Sequence, residues 1–294
     1  MELVDNLQAS FKDSLRKWKA EHYYLAVSGG CDSMVLLSLF QKQVKNFSVL
    51  HVNYNLRGAE SDKDEALLRK YCATKSIPIY VLNYDLSMDL KDGGNMQSIA
   101  RNVRYDFFKT FLFKHQTSII CLGHHKDDQE ENFWMSMARG GGLRAMAGMT
   151  TFSPPFLRPF LNYRKEELIK YARLQKLIWR EDRSNQSNTY TRNIWRNILL
   201  PQLKSKIPDI SESVVLLQRI FEQQVNSDRK FSRTYIPYPV QNFEIRVSDL
   251  SRMNSNQWIE FLDQMKIGKH LAFSLLNLLR SENGKKIILN SEDS

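Results

Sequence analysis

A chain of 294 residues, 42% hydrophobic and 25% charged, can bury one sizeable core and a smaller one. No apolar run nears the roughly 20 residues of a bilayer span, and residues 1–20 lack the apolar core and cleavage site of a signal peptide, so a cytoplasmic protein with no membrane partner is expected. Lys and Arg exceed Asp and Glu by 42 to 32, a formal charge of +10 that draws polyanions without naming one.

Residues 1–20 are amphipathic and mixed in charge. Residues 23–27 read as a short buried strand, broken by Ser28-Gly29-Gly30. Residues 34–40 read as a mostly apolar helix and 47–52 as a second strand rich in β-formers. Residues 60–75 form a surface helix, with Ala66, Leu67, Leu68, Tyr71 and Cys72 on one side. A third strand covers 77–82. Residues 96–115 are a long helix with Ile99, Val103, Phe107 and Phe111 at four-residue spacing. A fourth strand covers 117–122, and another helix starts near Asp127. Beyond that helix, glycines at 140–142 and Ser153-Pro154-Pro155 punctuate the chain. Residues 181–193 are rich in Asn and Ser, and 194–203 return to helical character.

Strands alternating with such helices predict an α/β fold: a parallel sheet with helices on both faces. Ligands of such sheets bind beyond the carboxyl ends of the strands. The polar clusters at 28–33, 51–57 and 123–131 all fall there. A boundary near Pro208 divides a larger domain (1–207) from a small, mainly helical one (208–294). The small domain is predicted to hold a long helix over 211–230, a strand near 243–247, two further helices and a strand over 286–289.

The three cysteines, Cys31, Cys72 and Cys121, form no C-x-x-C pair. That argues against a disulfide scaffold, a zinc site or an iron–sulfur cluster built on such pairs, and leaves free buried thiols.

A strand, then Ser28-Gly29-Gly30-Cys31-Asp32-Ser33, then a helix is a design for binding phosphate. The glycines let the backbone approach an anion, and the helix N-terminus offers unpaired N–H groups and positive dipole. Ser28 and Ser33 add hydroxyls. Asp32 is placed to cap the helix or to help hold a magnesium ion. The loop lacks the Lys of a Walker A motif and the glycine spacing of a dinucleotide site.

This sextet resembles the S-G-G-x-D-S signature of the PP-loop ATP pyrophosphatases. The resemblance implies cleavage of ATP between its α and β phosphates. Further clusters occur in order along the chain. They are the run from His51 to Gly58; Gln97 with Ala100-Arg101 and Arg104-Tyr105; and Gly123-His124-His125-Lys126-Asp127-Asp128 through Glu131. Then come Arg139 to Leu143 with Met146 to Met149; Arg158-Pro159; Glu181-Asp182 with Ser184-Asn185; and Arg192-Asn193 through Pro201. Over roughly residues 20–205 they resemble the tRNA(Ile)-lysidine synthetase family, in its compact form. The chain departs from that family at Tyr54, Asn55, Gln97 and Asn132, where His, Gly, Glu and Thr are usual.

The resemblance implies a ligase that forms a carbon–nitrogen bond. ATP adenylates O2 of the wobble cytidine of a tRNA-Ile with a CAU anticodon. The ε-amine of free L-lysine then attacks C2 and AMP leaves. The implied ATP contacts are Ser28, Gly29, Gly30, Cys31, Asp32, Ser33, His51 and Asn53, with Mg2+ at Asp32. Asp32, Arg104 and His124 are the candidate catalytic residues, Arg104 for phosphate or leaving-group charge. Lysine arrives protonated, with a free-amine fraction on the order of 10⁻³ at neutral pH. His124, Asp128 and Glu131, spaced i, i+4 and i+7, share one helical face. Asp128, Glu131 and Arg192 are the implied lysine contacts.

His125, Asp127 and Glu130 are expected as solvated helix surface with an N-cap. Arg139, Arg144, Lys204, Lys206, Arg229 and Lys230 are candidate phosphate contacts. A metal site in His-His-x-Asp-Asp is a competing reading that leaves the loop at Ser28 unexplained. Rival functions are a PP-loop tRNA thiolase, which commonly uses paired cysteines, and a catalytically silent tRNA-binding protein. The oligomeric state is open, a homodimer being compatible.

Overall fold

The computed structural model of the chain describes residues 2–56, 59–90, 96–114, 117–181, 191–235, 242–246 and 286–290. They fall in two compact units, one of residues 1–132 with 149–208, the other of 133–148 with 209–294.

The first unit opens with α1 (Glu2–Lys17) and runs through β1 (Tyr23–Ala26), α2 (Cys31–Gln43), β2 (Phe47–Asn53), α3 (Ala59–Thr74) and β3 (Ile79–Asn83). The one-turn α4 (Ser87–Leu90), α5 (Met96–Lys114), β4 (Ile119–Cys121) and α6 (Lys126–Ala138) come next, α6 running on into the second unit. Beyond lie β5 (Phe152–Ser153), β6 (Phe156–Leu157) and α8 (Lys165–Leu174), α7 (Leu143–Met146) belonging to the second unit. The six strands make one sheet in the order β3-β2-β1-β4-β6-β5. All neighbours are parallel except β5 and β6. The fold is therefore the expected parallel α/β sheet, with one antiparallel edge strand. That edge escapes the sequence pattern because its strands have two residues each and flank Pro154-Pro155, which reads as a turn.

Alternation along β1 sends its side chains to two cores. Tyr23, Leu25 and Val27 join α2, with Leu7 and Phe11 of α1 and Leu168 and Tyr171 of α8. Tyr24 faces the other way, with Leu50, Ile120, Leu122 and Phe108 of α5. Helices thus cover both faces, and β1 is buried. The chain moves from β1 through β2 to β3 on one side, then returns to place β4 on the other. The gap between the carboxyl ends of β1 and β4 is a topological switch point, where ligands bind.

The last helical run of the first unit joins α9 (Thr191–Ile194), a π turn (Trp195–Leu199) and α10 (Leu200–Lys206). The N–H of Leu200 donates to the carbonyl of Trp195, five residues back. Pro201 explains the widening: it has no N–H, and its ring would collide with the Asn197 carbonyl in a regular helix.

In the second unit α7 packs against α11 (Ile210–Tyr235). The strands β7 (Asn242–Arg246) and β8 (Lys286–Asn290) pair antiparallel, from Asn242 with Asn290 to Arg246 with Lys286. The two further helices expected here lie outside the described residues, as do Arg57, Gly58, Asp182, Ser184 and Asn185.

Phe40 is fully buried, with its ring centroid 5.0 Å from Phe11, 5.4 Å from Tyr23 and 5.7 Å from Phe47. Phe40→Ala should cost about 3–5 kcal/mol, and Ile178→Ala, at a 70% exposed site, under about 0.5 kcal/mol. Denaturant unfolding of both variants checks the difference.

Candidate active site

At the end of β1 the chain turns on Gly29, whose φ of +93° excludes most side chains. The turn is held from within by Ser33. Its hydroxyl accepts the N–H groups of Ser28 and Gly29, each at 3.2 Å, and donates to the Gly30 carbonyl at 2.9 Å. Arg180 N–H closes the outer side on the Gly29 carbonyl at 3.1 Å. The helix cap is Gly30, without a side-chain cap bond, so Asp32 does not cap α2 as expected and sits in its first turn instead. Gly123, at the end of β4, lies against this turn: a Cβ there would meet the Asp32 carbonyl carbon at 3.3 Å. A side chain there would press on the start of α2.

A cavity of about 440 Å3 opens at this switch point, within the range of about 300–1,000 Å3 for ligand pockets. Ser28, Gly30, Asp32 and Ser33 line it, and so do Arg104, His124, Asp128 and Arg192. Leu50, Phe108 and Leu122 supply apolar wall. Residues predicted from separate motifs therefore meet in one space. Gly29, Cys31, His51, Asn53 and Glu131 are absent from its lining. Cys31 lines a neighbouring cavity with Asp64, Lys165 and Arg180.

His51 and Asn53 point to the other face of β2. His51 Nδ1 donates to the Val27 carbonyl at 2.8 Å, and burial pushes its pKa down, with that bond and nearby acids acting against. Asn53 donates to Glu65 on α3 at 2.9 Å and accepts the N–H of Asn55 at 3.1 Å. In this structure both brace the strand ends around the loop.

His124 is half-buried, and its Nδ1 has no hydrogen-bond partner among the described residues. Burial drives its pKa down to about 4; Asp128 opposes the shift, and Arg158, Arg192 and Arg104 add to it. The imidazole is neutral at physiological pH.

Beside the cavity, α6 carries a lattice of opposed charges. Arg196 grips Glu131 with Nε on Oε1 at 2.5 Å and Nη2 on Oε2 at 2.9 Å. Arg192 bridges Glu131 (2.7 Å) and Asp128 (2.8 Å). Asp128 also accepts the His125 N–H at 2.9 Å, satisfying the start of α6. Burial alone would raise the Asp128 pKa, but His125, Arg192 and His124 hold it below the usual carboxylate range.

His125, Asp127 and Glu130 are not the solvated surface that sequence suggests. His125 and Glu130 are buried, at 5% and 4% exposure. Arg164 contacts Asp127 at 3.0 Å and Glu130 at 3.2 Å, and Lys204 contacts Glu130 at 2.8 Å. Burial would lower the His125 pKa, but Asp127, Asp128 and Asp32 raise it above the ordinary value. Pattern reading fails here because the helices α8 and α10 cover this face with arginine and lysine, leaving no apolar stripe to mark burial. Lys204 is thereby engaged in an ion pair.

Sequence reasoning also missed Lys165. Its ammonium sits on both oxygens of Asp32, at 2.7 and 2.6 Å, while its backbone N–H donates to Asp127 at 2.7 Å. The partners lie 133 residues apart, and no local signal links them. Every carboxylate of the set Asp32, Asp127, Asp128, Glu130 and Glu131 has a cationic partner. Among the described residues no group of three or more His, Cys, Asp or Glu is arranged to hold a metal ion. Asp32 remains a quarter exposed and lines the cavity, and its carboxylate is of the kind that, with substrate phosphates, would hold a magnesium ion.

Comparison with known proteins places these features in a family. Residues 3–203 match the model of the PP-loop domain. The chain is 34% identical over 281 residues to a tRNA(Ile)-lysidine synthase of Chlorobaculum tepidum, covering 90% of this chain and 84% of that one. It is 36% identical over 213 residues to the tRNA(Ile)-lysidine synthase of Bacillus subtilis, covering 68% of this chain. It spans about half the length of that relative, 45%. Among solved structures, the U34-tRNA thiolase NcsA of Methanococcus maripaludis shares the fold, with a TM-score of 0.61 at 18% identity over 75% of this chain and 80% of that one. No helix among the described residues is long and apolar enough to cross a membrane.

The lattice has two measurable consequences. Glu131→Ala leaves Arg192 and Arg196 to share Asp128 as their carboxylate partner and should cost about 3 kcal/mol in denaturant unfolding. This is the low end for a broken buried pair, because both guanidiniums keep about a third of their surface in water. His124 acts on pH dependence. As pH falls from 6.5 toward about 4, the unfolded chain takes up a proton that the folded imidazole refuses, so stability is lost through that window. In His124→Gln this component should vanish, seen as a wild-type-minus-variant difference that drops below pH 6.5 and is flat above pH 7.

Proposed function

The chain belongs to the tRNA(Ile)-lysidine synthase family of PP-loop proteins, and from that premise we propose that it couples lysine to the wobble cytidine of a CAU-anticodon tRNA-Ile at the expense of ATP. The observation that carries this reading is the shared cavity. The phosphate-binding turn, Arg104, His124, Asp128 and Arg192 all open into it at the β1/β4 switch point.

The reaction divides into two balanced steps. The cytidine O2 attacks the α-phosphorus of ATP, forming a C–O–P link and expelling pyrophosphate. The lysine ε-ammonium gives a proton to solvent, and the free amine then attacks C2; the C–O bond breaks and AMP departs with its electron pair. The turn and the N-terminus of α2 receive the nucleotide's phosphates. Asp32 would be the residue to hold a magnesium ion accompanying the nucleotide, which would supply positive charge beside the phosphates. Arg104 stabilises the anionic phosphorus or the departing AMP with its fork of donors. His124 serves as a neutral hydrogen-bonding group at the reacting base, since an imidazole titrating at about 4 is too weakly basic to retain lysine's proton near neutrality.

The lysine contacts need more than an acidic patch, because Asp128 and Glu131 already hold arginines. A zwitterion solves this. Its carboxylate takes Arg192 while an ammonium takes Asp128, so no buried charge is left alone. The second unit, with the basic residues of 209–294, would add tRNA contacts.

The thiolase reading is not favoured. The chain has three cysteines, all free and buried, and burial pushes Cys31 and Cys72 up to about 11. None is a ready thiolate.

The test is pyrophosphate release with ATP, lysine and a CAU-anticodon transcript, combined with mass analysis of the wobble nucleoside after labelled lysine. Wild type should release pyrophosphate only with the tRNA present and add one lysine to the nucleoside. Asp32→Ala should lose AMP formation by about 10²-fold or more. Turnover with a sulfur donor in place of lysine would overturn the proposal, as would binding of the tRNA with no turnover.

A further inference from the structure

The charges around the cavity are not evenly compensated. On one side Arg192 and Arg196 are neutralised by Asp128 and Glu131. On the α5 side Arg101 and Arg104 have no carboxylate partner among the described residues. Arg101 instead lies over the ring of Tyr105, 4.6 Å from its centroid, and Arg104 is 6.0 Å from the same ring. Arg158 lies behind them, 8% exposed, with Nη1 on the Thr150 carbonyl at 3.2 Å and Nε unpartnered among the described residues. A buried guanidinium beside two uncompensated ones is costly to keep unless an anion is due there.

The lining from α5 also has a direction. It runs from exposed Gln97 and Arg101, through half-buried Arg104 and Tyr105, to buried Phe108. The exposed end is the mouth and Phe108 the floor, beside Leu50 and Leu122. A base reaching this apolar floor must leave its phosphates at the mouth, because a phosphodiester carried inward loses its hydration. The nucleotide co-substrate has its own phosphate seat at the turn and α2. From the uncompensated guanidinium at the mouth and the apolar floor below it, we infer that Arg101 is a contact for a backbone phosphodiester of the RNA whose base enters this cavity. The inference rests on the proposed tRNA substrate. Stacking on Tyr105 fixes the guanidinium plane, so its paired donors meet the phosphate with little ordering cost.

The experiment is binding of the CAU anticodon stem-loop to the full chain over a range of salt, for wild type, Arg101→Gln and Arg101→Lys. Binding and KM of ATP are measured in parallel. Arg101→Gln should bind the stem-loop about tenfold more weakly at low salt. Its plot of log affinity against log salt should be shallower by about 0.7, the loss of one single-strand phosphate contact. Arg101→Lys should recover the slope but only part of the affinity, and ATP binding should not move in either variant. An unchanged slope in Arg101→Gln, with wild type binding normally, overturns this inference alone. Weaker ATP binding with unchanged RNA binding assigns Arg101 to the nucleotide and also overturns it. Wild type that binds no stem-loop at any salt removes the proposed function, and this inference with it.

Discussion

Four buried or half-buried carboxylates on one helix have to be matched by cations, and that demand organises much of the site. Asp127, Asp128, Glu130 and Glu131 on α6 would be untenable in a packed interior if left alone. Their partners come from two places: Arg164 before α8, and Arg192, Arg196 and Lys204 on the run from α9 to α10. Satisfying α6 therefore pulls both segments against the end of β4. The π turn belongs to the same solution. By widening the helix ahead of Pro201, it sets where the Arg196 and Arg192 side chains leave the axis, and both converge on Glu131.

Arg164 and Lys165 extend the lattice to the phosphate-binding turn. Arg164 is fastened to α6, which leaves the neighbouring Lys165 ammonium on Asp32 at the start of α2. The first carboxylate a nucleotide's magnesium would meet is thus linked, through two adjacent residues, to the helix that would meet the lysine. A cation taking the place of Lys165 at Asp32 would leave that ammonium available to an anion in the same site, so no carboxylate would go unpaired.

Much of this was legible in the sequence. Alternation of strands and helices implied the sheet and its two covered faces, and the polar clusters at 28–33 and 123–131 converge as expected. The turn itself was legible because glycine, serine and a following apolar helix are local facts. The state of the charged residues was not legible. The spacing of His124, Asp128 and Glu131 read as one helical face, but α6 begins at Lys126 and leaves His124 ahead of it, and spacing says nothing of arginines arriving from more than 60 residues away. The same blindness made Glu130 look solvated and hid Lys165. His51 and Asn53 were singled out from one polar cluster with Tyr54; strand alternation sends Tyr54 toward the cavity and the other two toward α3. The two-residue strands β5 and β6 are too short to show any period.

The two halves of the site would receive the proposed ligands in different ways. The turn around Gly29 is already held in shape by Ser33 and Arg180, its Ser28 and Gly29 N–H groups spent on Ser33, so an anion arriving there meets the N-terminus of α2 already in place and little is reorganised. The lattice on α6 is closed, each acid satisfied by a base, and admits a ligand only by exchange. Exchange selects for charge pattern. A simple amine would take a carboxylate and strand an arginine; a simple acid would do the reverse. A molecule bearing both charges replaces one internal pair with two external ones and leaves the sum of buried charge unchanged. Preformed binding suits a ligand whose energy drives the reaction, and exchange suits one that has to be recognised by its two ends.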